Sequence, residues 1–401
     1  MLDKKVLKKS IERNIQWFEK SGIMDPADGS WGVGERVILT QDNEALEKTY
    51  TSFPAFTKHG EYSIIEHRRP DCCFETALMY LLAAEELDNK KYYKTADNIL
   101  NYLYCRSGML NKKYKDFPIG AWKWCNEQWT NNIYFDDNAW NCVIPLIIAE
   151  LAPDLAKRYN MKNFSLQLGE VILDAFNQHF PEVKNDGYGW LGDLKSPHWG
   201  SLVCMAFAFL YRETKNSKYI QPILEYHDYL DANKDTFTTS EHAYIVIGAS
   251  IAGEILNNTK IKSTASESAD RLVVKQDNDT GNIPSEWGKE TPVGEHLVDT
   301  IYTQNWAVLG LHTICATKDN ATYRAPFEKA MELLFKIQDD SPQKHLNGCW
   351  RGMYDMKEEK WGGGDRFEGG GNSIYSGWTN APISIVMLFE LLGKSLIYKE
   401  K

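Results

Sequence analysis

The chain has 401 residues, of which 43% are hydrophobic, 12% aromatic and 25% charged, and its formal net charge is −10. This length accommodates two average domains or one large barrel, and no linker or change of composition divides it, so we expect a single domain over residues 1–401. The acidic balance argues against a nucleic-acid partner, because neutralising phosphates requires a basic surface.

The first predicted element is an amphipathic helix over residues 3–20, where Leu7, Ile11, Ile15 and Phe18 fall on one face. This segment lacks the apolar core of a signal peptide, and every apolar stretch of the chain is far shorter than the ~20 residues of a membrane span. The eight cysteines form no CxxC pair, which favours buried thiols in a reducing compartment. We therefore expect a cytoplasmic protein that binds no membrane.

Six later segments share one design, in which polar or aromatic residues lead into a helix that is apolar on almost every face. They begin, in chain order, at Pro70, Phe135, Pro197, Ser240, Tyr302 and Tyr375. Helices that are apolar all round belong in the interior of a large protein. We therefore assign these six segments to an inner layer.

Amphipathic segments alternate with these six. They cover residues 3–20, 91–106, 162–180, 217–231, 263–276 and 321–338. Each has one apolar stripe, typical of a helix with a single face on the core. The order of outer and inner helix, repeated six times, predicts an all-α fold, an (α/α)6 barrel or six-hairpin toroid. An open α-solenoid is the alternative because it also stacks helix pairs, whereas the scarcity of strand-like runs disfavours an α/β barrel.

The long loops fall mainly between each outer helix and the next inner one. In a closed barrel they gather at one end, beside the N-termini of the inner helices, and form a pocket there. Carboxylates and tryptophans recur in these loops, a combination suited to stacking on sugar rings and to acid/base or nucleophilic chemistry at glycosidic bonds. The candidate substrate-binding residues are Trp31, Trp124, Trp140, His198, Trp199, Glu241, His242, Trp306, Asp365, Arg366 and Trp378.

The stretch YFDDNAW places Asp136 and Asp137 side by side at the start of the second inner segment. Carboxylates beside a buried segment are costly unless they are paired or used. One of them is explained as a helix cap, because aspartate is a favoured N-cap residue. Adjacent helical residues point about 100° apart, which leaves the other for catalysis. Asp71 holds the same position one helix pair earlier, and for it a structural cap and a catalytic role are equally open.

Other patterns point away from metal and phosphate chemistry. His198 and His242 lack the HxH or HExxH spacing of metal ligands, so hydrogen-bonded histidines are expected. The glycine run GGGD…EGGG matches neither a dinucleotide-binding nor a phosphate-binding loop. Arg68 and Arg69 form a solvated or salt-bridged face or, beside a pocket, a binding site for a sugar carboxylate. The expected chemistry requires no metal or organic cofactor.

The YFDDNAW stretch resembles the adjacent-aspartate motif of glycoside hydrolase family 76, the endo-α-1,6-mannanases. The resemblance implies an (α/α)6 barrel in which Asp136 and Asp137 supply the catalytic carboxylates of a retaining hydrolysis and Trp140 accompanies them. It covers this stretch together with the helix pattern of the whole chain.

The chain is also similar to the unsaturated glucuronyl and rhamnogalacturonyl hydrolases of families 88 and 105, which carry functional aspartates at the starts of successive inner helices. This second resemblance implies that Asp71 acts with Asp136 or Asp137, and that an aspartate protonates or hydrates a vinyl ether. A third resemblance, to the N-acylglucosamine and cellobiose epimerases, implies a pair of histidines, His242 and His312.

From these patterns we expect a glycoside hydrolase that acts on oligosaccharides. One of Asp136 and Asp137 protonates the leaving oxygen, and the other acts as nucleophile or activates water. If the two side chains diverge, the partner carboxylate is Asp71, Glu241 or Asp365. The alternatives are an unsaturated uronyl hydrolase, a sugar epimerase, a non-catalytic sugar-binding barrel and a helical-repeat interaction protein.

Overall fold

The computed structural model describes residues 2–39, 56–113, 117–127, 132–182, 189–285, 296–317, 321–363 and 369–397. Thirteen α-helices lie within these ranges. In chain order they are α1 (Lys4–Lys20), α2 (Pro70–Glu86), α3 (Lys90–Asn101), α4 (Phe135–Leu151), α5 (Pro153–Arg158), α6 (Met161–His179), α7 (Pro197–Thr214), α8 (Ile220–Asn233), α9 (Thr239–Ile255), α10 (Thr259–Lys275), α11 (Gln304–Cys315), α12 (Arg324–Ile337) and α13 (Ala381–Leu392). Among these helices, none combines the length and the apolar character that crossing a membrane requires.

Six of the helices form a closed inner ring. Helix α2 packs on α4, α4 on α7, α7 on α9, α9 on α11 and α11 on α13, and α13 returns to α2. This closure excludes the open solenoid, in which the first and last repeats do not meet. The (α/α)6 barrel predicted from alternating apolar and amphipathic segments is therefore confirmed, and three inner helices begin at the expected residues, Pro70, Phe135 and Pro197.

The outer layer consists of α1, α3, α6, α8, α10 and α12. Five of these helices follow their inner partner in the chain, whereas α1 packs against α13 and so joins the two ends of the chain. Asn14 in α1 fixes this join, because its buried side-chain amide donates to the Gly348 carbonyl at 2.9 Å and to Asn380 Oδ1 at 2.8 Å. Its Oδ1 accepts from Ser384 Oγ at 3.0 Å. A buried amide with all these partners stabilises the closed ring.

Short strands connect the long loops at the end of the barrel where the inner helices begin. They are β1 (Arg36–Leu39), β2 (Phe56–Lys58), β3 (Tyr62–Ile65), β4 (Ile133–Tyr134), β5 (Trp190–Leu191), β6 (Leu297–Asp299), β7 (Met353–Asp355), β8 (Lys360–Trp361) and β9 (Ser373–Tyr375). The order β2-β3-β1-β9 forms one antiparallel sheet, β4 pairs with β5 in parallel, and β6, β7 and β8 form a third, antiparallel sheet. The β1–β9 pairing sets Arg36 opposite Tyr375, so the loop before α2 lies against the segment that precedes α13.

Candidate active site

A cavity of about 220 Å³ lies at this loop end of the barrel. Its lining combines aromatic and ionisable side chains: Glu35, Arg36, Arg69, Trp124, Tyr134, Asp136, Asp137, His198, Trp199, Ile301, Tyr302, Tyr375 and Trp378. Seven of these are residues singled out from the sequence, namely Arg69, Trp124, Asp136, Asp137, His198, Trp199 and Trp378. A concave site with aromatic walls and a few converging polar groups is the usual form of a small-molecule binding site.

The three candidate aspartates lie in first helical turns but do not cap their helices. The N-cap of α4 is Tyr134, and that of α2 is Arg69; at neither end does a side chain bond to the free backbone amides. The positive end of a helix dipole still favours the carboxylates of Asp71, Asp136 and Asp137 at these positions. The helix-cap explanation is therefore wrong, and the carboxyl groups bond to other side chains.

Arg69 joins three of the carboxyl groups. Its Nη2 lies 2.7 Å from Asp71 Oδ2 and 2.8 Å from Asp137 Oδ1, and its Nη1 lies 3.2 Å from Glu35 Oε1. Its Nε also donates to Asp71 Oδ1 at 3.2 Å. Burial lowers the pKa of Arg69, but Asp137 and Asp71 outweigh it and hold that pKa well above the ordinary value. All three guanidinium nitrogens are thus engaged by acids.

Asp137 is the acid that burial affects most clearly. Burial raises the pKa of Asp137 well above the ordinary value, Arg69 opposes the rise, and the charges of Asp71 and Asp136 add to it. A hydrogen bond between Asp137 and Asp71 acts in the same direction. Because two adjacent carboxylates repel each other in a dry site, one retained proton is favoured. Burial and the neighbouring acids raise the pKa of Asp137 and so favour this residue as the one that keeps a proton.

Asp136 is paired with a histidine. The Nε2 atom of His198 lies 2.9 Å from Asp136 Oδ2, a hydrogen-bond distance. The imidazole is stacked between the rings of Trp199 and Tyr244, with centroids 4.7 and 4.6 Å away and interplanar angles of 10°. The stacking fixes the imidazole and, through it, the carboxyl group. Asp136 Oδ1 and Asp137 Oδ2 are buried without a hydrogen-bond partner among the described residues, so each carboxyl has one oxygen available to a ligand.

Trp378 completes the site in a strained backbone conformation, with φ 53° and ψ −39°. Its indole Nε1 donates to Asp71 Oδ2 at 2.6 Å, and its backbone N–H donates to Glu75 Oε2 at 2.8 Å. Burial and the charge of Asp71 raise the pKa of Glu75 well above its ordinary value. A Cβ at the preceding Gly377 would lie 2.6 Å from the Cα of Cys72, so glycine is required for the approach to α2.

The other tryptophans predicted to bind substrate are placed elsewhere. Trp140 and Trp306 are buried and stack on each other, with centroids 5.8 Å apart, and Trp306 contacts Trp378 edge-on at 5.5 Å. They support the cavity wall without lining it. Trp31 is 60% exposed, and its carbonyl accepts a hydrogen bond from Arg68.

Glu241 and His242 are also outside the cavity lining. Glu241 forms a capping box with Thr238 at the start of α9. The Nδ1 atom of His242 lies 3.3 Å from Ser268 Oγ. His312, its suggested partner, lies in the last turn of α11, so the two histidines are near opposite ends of their helices. Asp365 and Arg366 lie outside the described residues.

The residues predicted from the sequence to form the site did not include Ile301, three tyrosines and two charged residues of the lining. Tyr134, Tyr302 and Tyr375 each stand at or just before the start of a predicted inner segment, a position that would have identified them. Glu35 and Arg36 reach the cavity through the pairing of β1 with β3 and β9, for which the sequence has no local signal. In the described part of the chain, no group of three or more His, Cys, Asp or Glu residues is arranged to hold a metal ion.

Neither protein-family models nor curated protein sequences match the chain. Solved structures do. A sugar epimerase from a ruminal bacterium aligns over 96% of this chain and 98% of its own, with a TM-score of 0.63 and 10% identity. An unsaturated glucuronyl hydrolase from Streptococcus agalactiae aligns over 99% and 94%, with a TM-score of 0.58 and 13% identity. A family 76 α-mannanase from Bacteroides thetaiotaomicron aligns over 87% and 95%, with a TM-score of 0.58 and 12% identity. At these identities the likeness shows the fold alone, the (α/α)6 barrel that this chain shares with the three proteins.

Proposed function

We propose that this protein is a glycoside hydrolase that cleaves oligosaccharides in the cavity containing Asp136 and Asp137. The observation that carries the proposal is the contrast between these adjacent carboxyl groups. Burial and neighbouring acids favour the protonated form of Asp137, whereas Asp136 is hydrogen-bonded to His198 and keeps Oδ1 available. Glycosidic cleavage requires such a division of roles between a proton donor and a second carboxyl group.

Asp137 serves as the general acid. Its proton passes to the glycosidic oxygen as the bond from that oxygen to the anomeric carbon breaks, and Arg69, 2.8 Å from Oδ1, stabilises the carboxylate that forms. Asp136 serves as the second group: its Oδ1 either attacks the anomeric carbon or accepts a proton from the attacking water. Trp124, Trp199 and Trp378 supply the aromatic faces for the sugar rings.

An unsaturated uronyl hydrolase is the second candidate. In that reaction Asp137 would protonate the vinyl ether of an unsaturated uronide. Arg36 and Arg69 in the cavity lining favour this candidate, because guanidinium groups bind carboxylates. It ranks second because both arginines already contact Glu35.

A mass-spectrometric screen tests the proposal, using one pool of neutral oligosaccharides and one of lyase-generated unsaturated uronides. We expect wild-type protein to cleave a neutral glycan, and Asp137→Asn to lower the rate by about 10²–10⁴-fold, the usual contribution of a positioned acid. Asp231→Asn, an exposed position on α8, is the matched control and should keep full activity. Cleavage of unsaturated uronides alone would favour the second candidate, and an isomeric product of unchanged mass would indicate an epimerase.

Activated aryl glycosides then separate the two roles. A good leaving group needs little protonation, so Asp137→Asn should recover much of its rate on these substrates, whereas Asp136→Asn should not. Equal losses on activated and unactivated substrates would contradict the assignment of Asp137 as the acid. Absence of cleavage by the wild type in both pools would leave a sugar-binding barrel as the better interpretation.

A further inference from the structure

The carboxylate of Glu35 occupies the cationic side of the cavity. Its Oε1 lies 3.2 Å from Arg69 Nη1, and its Oε2 lies 3.0 Å from Arg36 Nε and 3.2 Å from His67 Nε2. The residue is buried, with 1% of its surface exposed. Three basic side chains therefore converge on one carboxylate that the chain itself supplies.

This carboxylate is charged and held in place. Burial works to raise the pKa of Glu35, but Arg36, His67 and Arg69 lower it well below the ordinary value. The backbone of Glu35 is fixed on both sides, because its N–H donates to the carbonyls of Ile65 and His67 and its carbonyl accepts from Ser376 N–H at 2.9 Å. The carboxylate of Glu35 thus stays paired with Arg36 and Arg69 when a ligand enters the cavity.

The two arginines are consequently poor partners for a second carboxylate. Recognition of a uronate by arginine normally uses two parallel N–H bonds from one guanidinium group. In Arg69, Nε, Nη1 and Nη2 all contact acids already. In Arg36, Nε contacts Glu35 and the guanidinium group lies 4.4 Å from the ring centroid of Tyr375. A uronate placed here would meet the charge of Glu35 with little to offset the repulsion.

We infer that Glu35 is a specificity-determining residue whose carboxylate takes the place that a substrate carboxylate would occupy, so that the cavity selects sugar units without an acid group. The inference rests on the proposed function, since it presupposes a sugar ligand, and it names the class as neutral or amino-substituted glycosyl units. Among the described residues, Asp136 Oδ1 is buried without a partner and accepts a hydrogen bond from a hydroxyl or ammonium group of such units, and the indole Nε1 of Trp199, which also has no partner there, donates one.

Binding of matched sugars to the full-length wild-type protein tests the inference separately from cleavage. The probes are methyl glycosides of glucose, mannose and galactose, each with its uronic acid and its 2-amino analogue, titrated by ligand-observed NMR. For the configuration that binds, the uronic acid should bind at least about tenfold more weakly than the parent sugar, and the amino sugar at least as tightly as the parent. A uronic acid that binds more tightly than its parent sugar would overturn the inference.

A pair of variants tests whether Glu35 is the residue that disfavours uronate binding. Glu35→Ala frees the three basic groups and should raise uronate binding relative to the neutral sugar at least about tenfold. Glu66→Ala is the matched control, because Glu66 pairs with Arg68 at 2.6 Å outside the cavity lining, and it should leave the ratio unchanged. If circular dichroism shows that Glu35→Ala is unfolded, Glu35→Gln takes its place and should shift the ratio in the same direction. An unchanged ratio in a folded Glu35 variant would also overturn the inference.

The binding and cleavage experiments can refute the role of Glu35 and the proposed hydrolase activity separately. Preferential binding of neutral sugars without cleavage of either pool would refute the hydrolase and leave the role of Glu35 standing. Binding and cleavage of unsaturated uronides would refute the role of Glu35 and leave a hydrolase.

Discussion

Both ends of the barrel hold a buried histidine beside a carboxyl group, but the two sites differ in whether the oxygens of the carboxyl group have hydrogen-bond partners. At the loop end, His198 contacts one oxygen of Asp136 and the other oxygen has no partner among the described residues. At the opposite end, His312 lies 3.7 Å from Glu390, and both oxygens of Glu390 accept hydrogen bonds from Arg324. Buried polar atoms are usually paired, so the unpaired carboxyl oxygens favour the loop end over the opposite end as the candidate ligand site.

The two ends of the barrel also differ in their balance of acidic and basic groups, and again the loop end is the less fully compensated. Three carboxyl groups line the cavity, those of Glu35, Asp136 and Asp137, and the carboxyl groups of Asp71 and Glu75 bond to Arg69 and Trp378 of the lining. The guanidinium groups in its lining are those of Arg36 and Arg69. At the far end burial lowers the pKa of His312 to about 4, so its imidazole is neutral at neutral pH. The loop end keeps an excess of acid that favours one retained proton, and that proton is the basis of the proposed chemistry.

The largest expected effect comes from removing the arginine at each end. Arg69→Met leaves the buried carboxyl groups of Asp71 and Asp137 without their cation, so we expect a loss of about 3–5 kcal/mol in the free energy of unfolding and loss of activity. Arg324→Met at the far end should cost at most about 1 kcal/mol, because that pair is partly exposed, and should leave activity unchanged. Denaturant unfolding and glycan cleavage check both variants. Similar effects of the two substitutions would remove the distinction between the ends.

Removing an indole N–H should have a smaller and more specific effect. Trp378→Phe keeps an aromatic ring but deletes the bond to Asp71 Oδ2, so the fully ionised state of the Asp71–Asp137 pair becomes less favourable. We expect kcat/KM to fall about tenfold, the net worth of one hydrogen bond to a charged group. Loss of the Asp137 proton should lower the rate at alkaline pH, at a pH above the ordinary aspartate range. This alkaline limb of the pH–rate profile should move to higher pH in the variant.

Trp306→Phe is the control for this experiment. It also deletes a buried indole N–H, but one that donates to the neutral carbonyl of Ile301 at 2.9 Å. The pH–rate profile of this variant should keep the wild-type alkaline limb. A shift of equal size in both variants would show that lost packing, not the bond to Asp71, moves the limb.

The smallest effect on activity is expected at His312. Its pKa is about 4 in the folded protein against an ordinary 6.5, so the unfolded chain takes up a proton first and stability falls as the pH is lowered from 6.5 toward 4. His312→Leu should retain activity at neutral pH and flatten this part of the stability profile. Urea unfolding at several pH values measures it. If the free energy of unfolding of a folded, active variant falls with pH between 6.5 and 4 as steeply as in the wild type, the neutral state of His312 is contradicted.

The barrel was predictable because its signal is local and repeated. Segments that are apolar on all faces mark the inner ring, and Pro70, Phe135 and Pro197 begin helices where the sequence predicts them. Glu241 carries a local signal of a different kind, because the pattern Thr-x-x-Glu from Thr238 is a capping box. That pattern alone assigns Glu241 to the start of α9 and explains why its carboxylate does not line the cavity.

The ionic network was not predictable, because it joins residues far apart in the chain. The indole of Trp378 bonds Asp71 across 307 positions, and Glu35 reaches Arg69 through the pairing of short strands. Sequence patterns identify the residue types of the candidate site, whereas the raised pKa of Asp137 depends on burial and charge in the folded chain.

Infrared difference spectroscopy of wild type minus Asp137→Asn at neutral pH tests the central claim most directly. Asparagine matches the shape and charge of a protonated aspartate, so the variant should fold alike and lose one signal. We predict a protonated carboxylic-acid carbonyl band in the wild type that is missing from the variant and that disappears from the wild type at alkaline pH. A difference spectrum with carboxylate bands alone would show that Asp137 is ionised, and Asp137 would not be the acid that cleaves a glycosidic bond.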